Sequence, residues 1–256
     1  MIEKRRVFIK QLAAFGAASA MSPGILHAMP AENSDEAAGK EFTVLFQGDS
    51  ITDGGRSKNN DWNHVMGHGY QYIVASKLWY DHPDKGLHFF NRGISGNKVP
   101  DLAARWQADT LDIKPDLLSI LVGINDCSGW IRGDKSFTAE NFETGYRGLL
   151  NQTREALPNV AFVLCEPFLM PGSRVNEHWR EYVEEVQKRQ LVVKKLADEF
   201  GAIHIPFQAS FDKALKRAPT EYWIWDGIHP MPAGHQLMAL EWMERVGKKW
   251  KFLKGK

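Results

Sequence analysis

Five short apolar runs, separated by segments of helical character, constrain the fold of this chain more than any other feature. The runs predict strands at 42–46, 87–90, 116–122, 160–165 and 202–206. The remaining segments favour helices at 63–80, 102–108, 138–156, 176–200 and, after the last strand, 232–250. The third run is almost continuously apolar, which is typical of a strand covered on both faces. Strands that alternate with helices predict the α/β class, with a parallel sheet covered by helices on both faces.

The composition excludes several classes of protein. The 256 residues are 43% hydrophobic and 25% charged, which suits an ordinary globular protein. Because 32 basic residues are matched by 31 acidic ones, no nucleic-acid partner is expected. The body of the chain has no run of about 18 apolar residues, which excludes a protein with several membrane spans. Two cysteines are too few for a disulfide scaffold, and whether Cys127 pairs with Cys165 stays open at this point.

The N-terminal segment has the layout of an export signal. A positive head that contains Arg5-Arg6 precedes an alanine-rich apolar stretch at 12–21, and small residues follow. The arginine pair resembles a twin-arginine signal. An amphipathic first helix is the alternative, but glycines and a proline would interrupt it. We predict that the protein is exported to the periplasm or secreted, and that it is not stably inserted in a membrane once the signal is removed. The predicted parts are a signal at 1–31, a linker at 32–40 and one domain at 41–256.

Polar or glycine-rich segments follow the first three predicted strands at the point where each strand ends. They are Gly48-Asp49-Ser50, the segment at 91–97 and Gly123-Ile124-Asn125-Asp126, and a fourth, Asp226-Gly227-Ile228-His229, lies near the end of the chain. Ligands of parallel sheets bind outside the carboxyl ends of the strands. The four segments are therefore expected to converge at one edge of the sheet.

These segments contain the groups of a nucleophilic serine site. Ser50 would need a neighbouring base, and His229 would need a carboxylate that fixes its tautomer. Asp226 lies three positions before His229, so one helical turn would place both side chains on the same side. The amide of Asn125 and the backbone N–H of Gly96 are candidate donors to an oxyanion. No serine has glycine at both −2 and +2, which argues against the nucleophile elbow of the α/β-hydrolases.

In order and spacing the four segments resemble the blocks of the GDSL/SGNH hydrolase family, with Ile51 where the family name has leucine. The resemblance covers about residues 42–245. It implies a flavodoxin-like fold, a three-layer α/β/α sandwich with a five-stranded parallel sheet. It also implies a carboxylic ester hydrolase that uses neither a cofactor nor a metal.

Site roles carry over from the family residue by residue. The resemblance makes Ser50 the nucleophile, His229 the general base and Asp226 the residue that orients His229. It assigns the oxyanion hole to the backbone N–H groups of Ser50 and Gly96 and to the side-chain amide of Asn125.

The family leaves the substrate open, and we expect a carbohydrate O-acetyl ester. Export would place the enzyme among polysaccharides, and Trp and Tyr residues cluster near the expected site. Glycine-rich turns at 93–96 and 123–133 look short and predict a small acyl pocket. The body is similar to secreted rhamnogalacturonan and xylan acetylesterases. One alternative is a lysophospholipase or broad arylesterase that acts on small esters. The other is a non-catalytic carbohydrate-binding protein on the same scaffold. The oligomeric state is not predicted.

Other polar residues near the four segments have more modest interpretations. Asp49 and Asp53 are expected to brace loops through hydrogen bonds rather than to act as catalytic acids. Asn97 and Asp126 are expected to support the site without touching substrate. A His64/His68 pair lacks the glutamate of the zinc-protease motif, so no metal is expected there.

Aromatic and charged residues leave two further questions. Three tryptophans are equally compatible with the core and with stacking on a sugar ring: Trp130, Trp223 and Trp225. The charged residues at 176–199 are expected to form a solvated helix face.

Overall fold

A five-stranded sheet lies at the centre of the computed structural model, which describes residues 41–59 and 63–255. The strands are β1 Phe42–Gly48, β2 Leu87–Asn91, β3 Leu117–Leu121, β4 Ala161–Cys165 and β5 Ile203–Ile205. All neighbouring strands are parallel, and their order is β2-β1-β3-β4-β5. This is the flavodoxin-like order, whose ligands bind where β1 and β3 lie side by side. The five predicted strands and the parallel sheet are thus confirmed.

Nine α-helices connect or follow the strands within the described ranges. They are α1 Ser50–Asp53, α2 Tyr70–Asp81, α3 Val99–Ala104, α4 Ile124–Ile131, α5 Ala139–Ala156, α6 Trp179–Phe200, α7 Phe207–Ala214, α8 Thr220–Trp223 and α9 Pro232–Val246. Three shorter turns complete the fold: a π-helical turn at Gln107–Leu111 and 3₁₀ turns at Asn176–His178 and Lys251–Leu253.

Side chains alternate along the strands between two separate apolar cores. In β1, Phe46 packs on one face against Trp242 of α9, with 5.4 Å between the ring centroids. Leu45 lies on the other face in a cluster with Leu102 of α3 and Tyr146 of α5. Each buried side chain of this size contributes roughly 1.5–3 kcal/mol to stability. Two cores on opposite faces of one sheet confirm the three-layer α/β/α sandwich.

Several helix predictions were wrong in their bounds. The helix expected at 63–80 begins at Tyr70, because Gly67 has a φ of +68° and the chain turns before it. The helix expected at 102–108 begins at Val99 with proline in its first turn. Helix α9 ends at Val246 rather than at 250. The sequence patterns also missed α4 and α7, so the segment at 123–133 is largely helical rather than a glycine-rich turn.

The charged helix α6 is not only a solvated face. Arg189 is fully buried and forms an ion pair with Glu185, one helical turn away. Its guanidinium also donates to the backbone oxygen of Phe137. A buried charge of this kind is stable only when it is paired and hydrogen-bonded. The spacing of Glu185 and Arg189 is visible in the sequence, but the burial of the pair is not.

The predicted signal at 1–31 and linker at 32–40 lie outside the described residues. Among the residues that are described, no helix combines the length and the apolar character needed to cross a bilayer.

Candidate active site

Ser50 lies just beyond the carboxyl end of strand β1, as the first residue of α1. Asp49 caps this helix, since its Oδ1 accepts a hydrogen bond of 3.0 Å from the N–H of Ile51. The strand therefore ends in a tight turn into the helix, and the half-buried side chain of Ser50 is held at the edge of the sheet.

Three side chains form one hydrogen-bonded chain at this edge. Ser50 Oγ lies 2.8 Å from His229 Nε2, and His229 Nδ1 lies 2.7 Å from Asp226 Oδ2. Although burial opposes the charged form, hydrogen bonds from His229 and from the N–H of Ile228 hold the pKa of Asp226 below its ordinary value. The ionised carboxylate favours the tautomer of His229 that carries its proton on Nδ1. The free lone pair of Nε2 then faces the serine hydroxyl.

The expectation that Asp226 and His229 share a helical turn was wrong. They lie in a bend in which Gly227 has a φ of +98°, a conformation that ends any right-handed helix and suits glycine. Asp226 Oδ1 instead accepts hydrogen bonds of 3.0 and 2.8 Å from the N–H groups of Ile228 and His229. Because the carboxylate folds back on its own loop, both side chains still meet.

Arg174 contacts this arrangement and was missed by the sequence patterns. Its Nε lies 2.7 Å from Asp226 Oδ2, the oxygen that also accepts from His229. A Cβ on Gly172 would come within 2.2 Å of the backbone nitrogen of Gly227, so the two loops pack in direct contact. Arg174 belongs to no recognisable motif. It lies 52 positions before Asp226 in the sequence, and only the fold brings the two side chains together.

The candidate oxyanion donors lie on the segments after β2 and β3. Asn125 is in the first turn of α4, and its Nδ2 donates to the backbone oxygen of Asn97 at 3.2 Å. Gly96 is exposed, and a Cβ there would meet no atom within 4 Å. Among the described residues, the N–H groups of Ser50 and Gly96 donate to no other group. The first three predicted segments thus offer donors above the sheet edge that carries Ser50.

Two acidic residues next to the nucleophile segment brace loops, as the sequence predicts. Asp53 Oδ2 accepts from the N–H of Ser95 at 3.0 Å and ties α1 to the segment that carries Gly96. Asp49 caps α1.

Asn97 Oδ1 accepts from Arg105, and Asp126 Oδ1 accepts from the N–H of Val99, so both side chains are turned into the protein.

The three tryptophans differ in exposure. Trp223 is buried and belongs to the core. Trp225 is 57% exposed, and its ring stacks beside the ring of His229 with 6.4 Å between centroids. Trp130 is half-buried, with the ammonium of Lys135 4.0 Å from its ring centre.

Cys127 and Cys165 are both buried and free, so they form no disulfide.

The histidines near the site form no metal-binding group in the part of the chain that the structure describes. His68 instead faces His235, with ring centroids 6.4 Å apart. His235 Nδ1 accepts from the N–H of Tyr70 at 3.1 Å. Burial, together with the neighbouring His68 and His229, lowers the pKa of His235 to about 4. This neutral ring therefore supports the start of α2.

A buried carboxyl beside Asn125 makes the stability of the protein depend on pH. Burial raises the pKa of Asp126 from 3.8 to about 7, against the opposing hydrogen bond from Val99. The folded state therefore binds more protons than the unfolded state between about pH 4 and 7. Stability present at the acid end of this window is lost as the pH rises through it. Between pH 5 and pH 8 we expect the melting temperature of wild type to fall relative to that of Asp126→Asn. The lowered pKa of His235 acts in the opposite direction, but it contributes to both proteins.

Asp126→Asn keeps the acceptor for Val99 and cannot titrate. Asp134→Asn is the matched control, because Asp134 is exposed and hydrogen bonds from Ser136 lower its pKa, which keeps its titration below this window. Thermal unfolding of the three proteins at both pH values checks the prediction. An equal loss in wild type and Asp126→Asn would contradict it.

Comparison with known proteins identifies the family. The model of the GDSL-like Lipase/Acylhydrolase family matches residues 46–237. An acetylxylan esterase from Geobacillus stearothermophilus is 34% identical over 215 residues, which cover 81% of this chain and 94% of that protein. An uncharacterized lipoprotein from Bacillus subtilis is 27% identical over 135 residues, which cover 52% of each protein.

Solved structures agree with this assignment. A structure from Parabacteroides merdae that carries the name GDSL-like lipase has a TM-score of 0.78 and 41% identity, covering 82% of this chain and 97% of its own. The crystal structure of Axe2, an acetylxylan esterase from Geobacillus stearothermophilus, has a TM-score of 0.72 and 32% identity, covering 82% and 96%. The chain is therefore a carboxylic ester hydrolase that belongs to the GDSL-like lipase/acylhydrolase family.

Proposed function

We propose that this protein is a serine esterase that removes O-acetyl groups from carbohydrate esters. The observation that carries the proposal is the chain from Ser50 Oγ through His229 to Asp226, with distances of 2.8 and 2.7 Å. This geometry is that of a nucleophile with its base and the group that orients the base. The similarity to an acetylxylan esterase over 94% of that protein supports an acetylated sugar as substrate.

The proposed reaction proceeds through an acetyl-enzyme. Ser50 Oγ attacks the ester carbonyl while its proton passes to His229 Nε2. The tetrahedral oxyanion accepts hydrogen bonds from the N–H groups of Ser50 and Gly96 and from Asn125 Nδ2. His229 then gives its proton to the departing sugar oxygen. Water, deprotonated by the same nitrogen, attacks the acetyl group and releases acetate.

The neighbourhood of the site suits a sugar. Trp225 presents an exposed ring beside His229, and the flat face of an aromatic ring packs well against the C–H face of a sugar. We assign Trp225 to this contact and Trp223 to the core. A lipid hydrolase is the second candidate, since the matching family model is described as containing lipases.

We also propose that residues 1–31 export the domain at 41–256 to the periplasm or the exterior, with 32–40 as a linker. The basic head and the apolar stretch of the sequence support this proposal. The similarity to a lipoprotein is consistent with it. Polysaccharide esters outside the cytoplasm would then be within reach of the enzyme.

The acyl chain-length series tests the proposed function. We expect kcat/KM to fall from p-nitrophenyl acetate to the butyrate and octanoate. A pocket sized for acetyl loses about 1–3 kcal/mol at the first misfit, whereas a lipid groove gains roughly 0.8 kcal/mol per buried methylene. The measurement uses concentrations below micelle formation. Acetate release from acetylated xylo-oligosaccharides is measured in parallel. A maximum at octanoate, or no acetate release from the oligosaccharides, would contradict the proposal.

A further inference from the structure

A cavity opens beside the edge strand β2. It has a volume of about 670 Å³, within the range of small-molecule binding sites. Three basic residues line it, Arg56, Lys58 and Arg92, together with the apolar side chains of Phe89 and Phe90. Neither the nucleophile nor its base belongs to this wall. The cavity therefore needs an explanation of its own.

On the described part of the cavity wall, three basic residues face one acidic residue. The acidic residue is Asp109. This carboxylate is shared, since it lies 2.8 Å from Arg105 Nη1 and 3.5 Å from Arg92 Nε. Arg56 uses its Nε to donate to the backbone oxygen of Gly93 at 2.8 Å. Among the described residues, its two terminal nitrogens donate to no group.

The two arginines of the cavity are also held in place, whereas Lys58 is exposed. Arg56 is half-buried, and burial lowers its pKa, with neighbouring Arg92 and Arg105 acting in the same direction and Asp53 and Asp109 against it. Arg92 is held by Asp109 and lies 5.7 Å from the ring centre of Phe90. Preorganised guanidinium groups bind a planar carboxylate better than mobile surface lysines do.

The cavity and the reaction site share two segments of chain. Arg56 follows α1, which begins at Ser50. Arg92 precedes Gly96 in the segment after β2, and the hydrogen bond from Arg56 to Gly93 joins the two segments. The cavity is therefore built from chain next to the segments that carry Ser50 and Gly96, and a polymer that extends from Ser50 toward β2 would reach it. Phe90, which is half-buried, offers apolar surface to a sugar ring, whereas Phe89 is only 3% exposed. The guanidinium groups offer donors to a carboxylate.

We propose that this cavity is a subsite for an acidic sugar, whose carboxylate binds Arg56 and Arg92 while its ring packs on Phe90. This inference rests on the proposed function, because it makes the acidic sugar a substituent of the acetylated polysaccharide. The preferred substrate is then a polymer that carries uronic acids beside its acetyl esters.

Binding without turnover tests the subsite. The probes are xylotriose bearing one glucuronic acid and unsubstituted xylotriose, both free of acetyl groups, and the dissociation constants are measured by titration calorimetry. We expect the acidic probe to bind wild type at least about tenfold more tightly, as charge-assisted hydrogen bonds allow. Arg92→Gln and Lys58→Gln should each reduce this ratio, with Arg92→Gln bringing it close to one. Lys216→Gln, an exposed lysine after α7, should leave it unchanged.

Equal binding of the two probes to wild type would overturn the subsite, as would a preference that survives in Arg92→Gln. Inorganic phosphate that binds as tightly as the acidic probe would reduce the cavity to a general anion site and would also overturn it. Failure of the proposed function has a different signature. Acetate release from acetylated oligosaccharides would then be absent while the preference for the acidic probe persisted.

Discussion

Ser50→Ala is expected to abolish ester hydrolysis and to leave the fold intact. The substitution removes one oxygen, whose described contact is the 2.8 Å hydrogen bond to His229. When a serine acts as a unit with its base, its loss costs on the order of 10⁶-fold in kcat. Steady-state hydrolysis of p-nitrophenyl acetate measures the loss, and thermal unfolding measures the stability of the variant.

Ser136→Ala is the matched control for this loss. Ser136 is an exposed serine whose hydroxyl donates to Asp134, so its removal should leave turnover near that of wild type. A fluorophosphonate probe adds a second readout, since it should label wild type and Ser136→Ala but not Ser50→Ala. A folded Ser50→Ala protein with near-normal turnover would contradict the mechanism.

Asn125→Ala is expected to lower kcat by about 100- to 1000-fold with a much smaller change in KM. One hydrogen of its amide is directed to the backbone oxygen of Asn97, which fixes the orientation of the side chain. In the proposed oxyanion hole, the other hydrogen faces charge that develops only in the transition state. Interactions made only there raise kcat rather than substrate affinity, and a lost oxyanion donor has an effect of this size.

Asn141→Ala provides the comparison for this variant. Asn141 also donates its amide to a backbone oxygen, that of Ser136, but it is exposed at the start of α5. Its removal should change neither kcat nor KM appreciably. If Asn125→Ala raised KM alone, Asn125 would be a residue that binds the substrate, and the oxyanion role would be wrong.

The sheet was predictable from the sequence because its strands are buried on both faces. Such strands appear as short apolar runs, and all five runs became strands in the expected parallel arrangement. The helices were less predictable, because some of them begin in segments whose residues resemble those of a loop. Helix α4 begins with the glycine-rich segment Gly123-Ile124-Asn125-Asp126, whose polar residues resemble those of a loop. Its helical form depends on burial of Ile124 and Cys127 in the core, which no local pattern reveals.

The candidate site was predictable to the extent that its residues lie on short motifs. Ser50, Asp226 and His229 are joined in the structure as the sequence predicts. Arg174 was not predictable, because it meets Asp226 only through tertiary packing. The burial of Arg189 was not predictable either, although its partner Glu185 is only one helical turn away. The cavity beside β2 was also missed, since its three basic residues look like ordinary surface charges along the chain.

The distance along the chain between Ser50 and His229 has a consequence for when activity can arise. The two residues are 179 positions apart, whereas Asp226 and His229 are only three apart. During synthesis, the serine, glycine and asparagine segments all leave the ribosome long before the histidine does. Closing so long a loop is among the slow, non-local steps of folding. Esterase activity recovered after unfolding therefore reports when the final loop has reached Ser50, which spectroscopic signals from the helices and the sheet do not report.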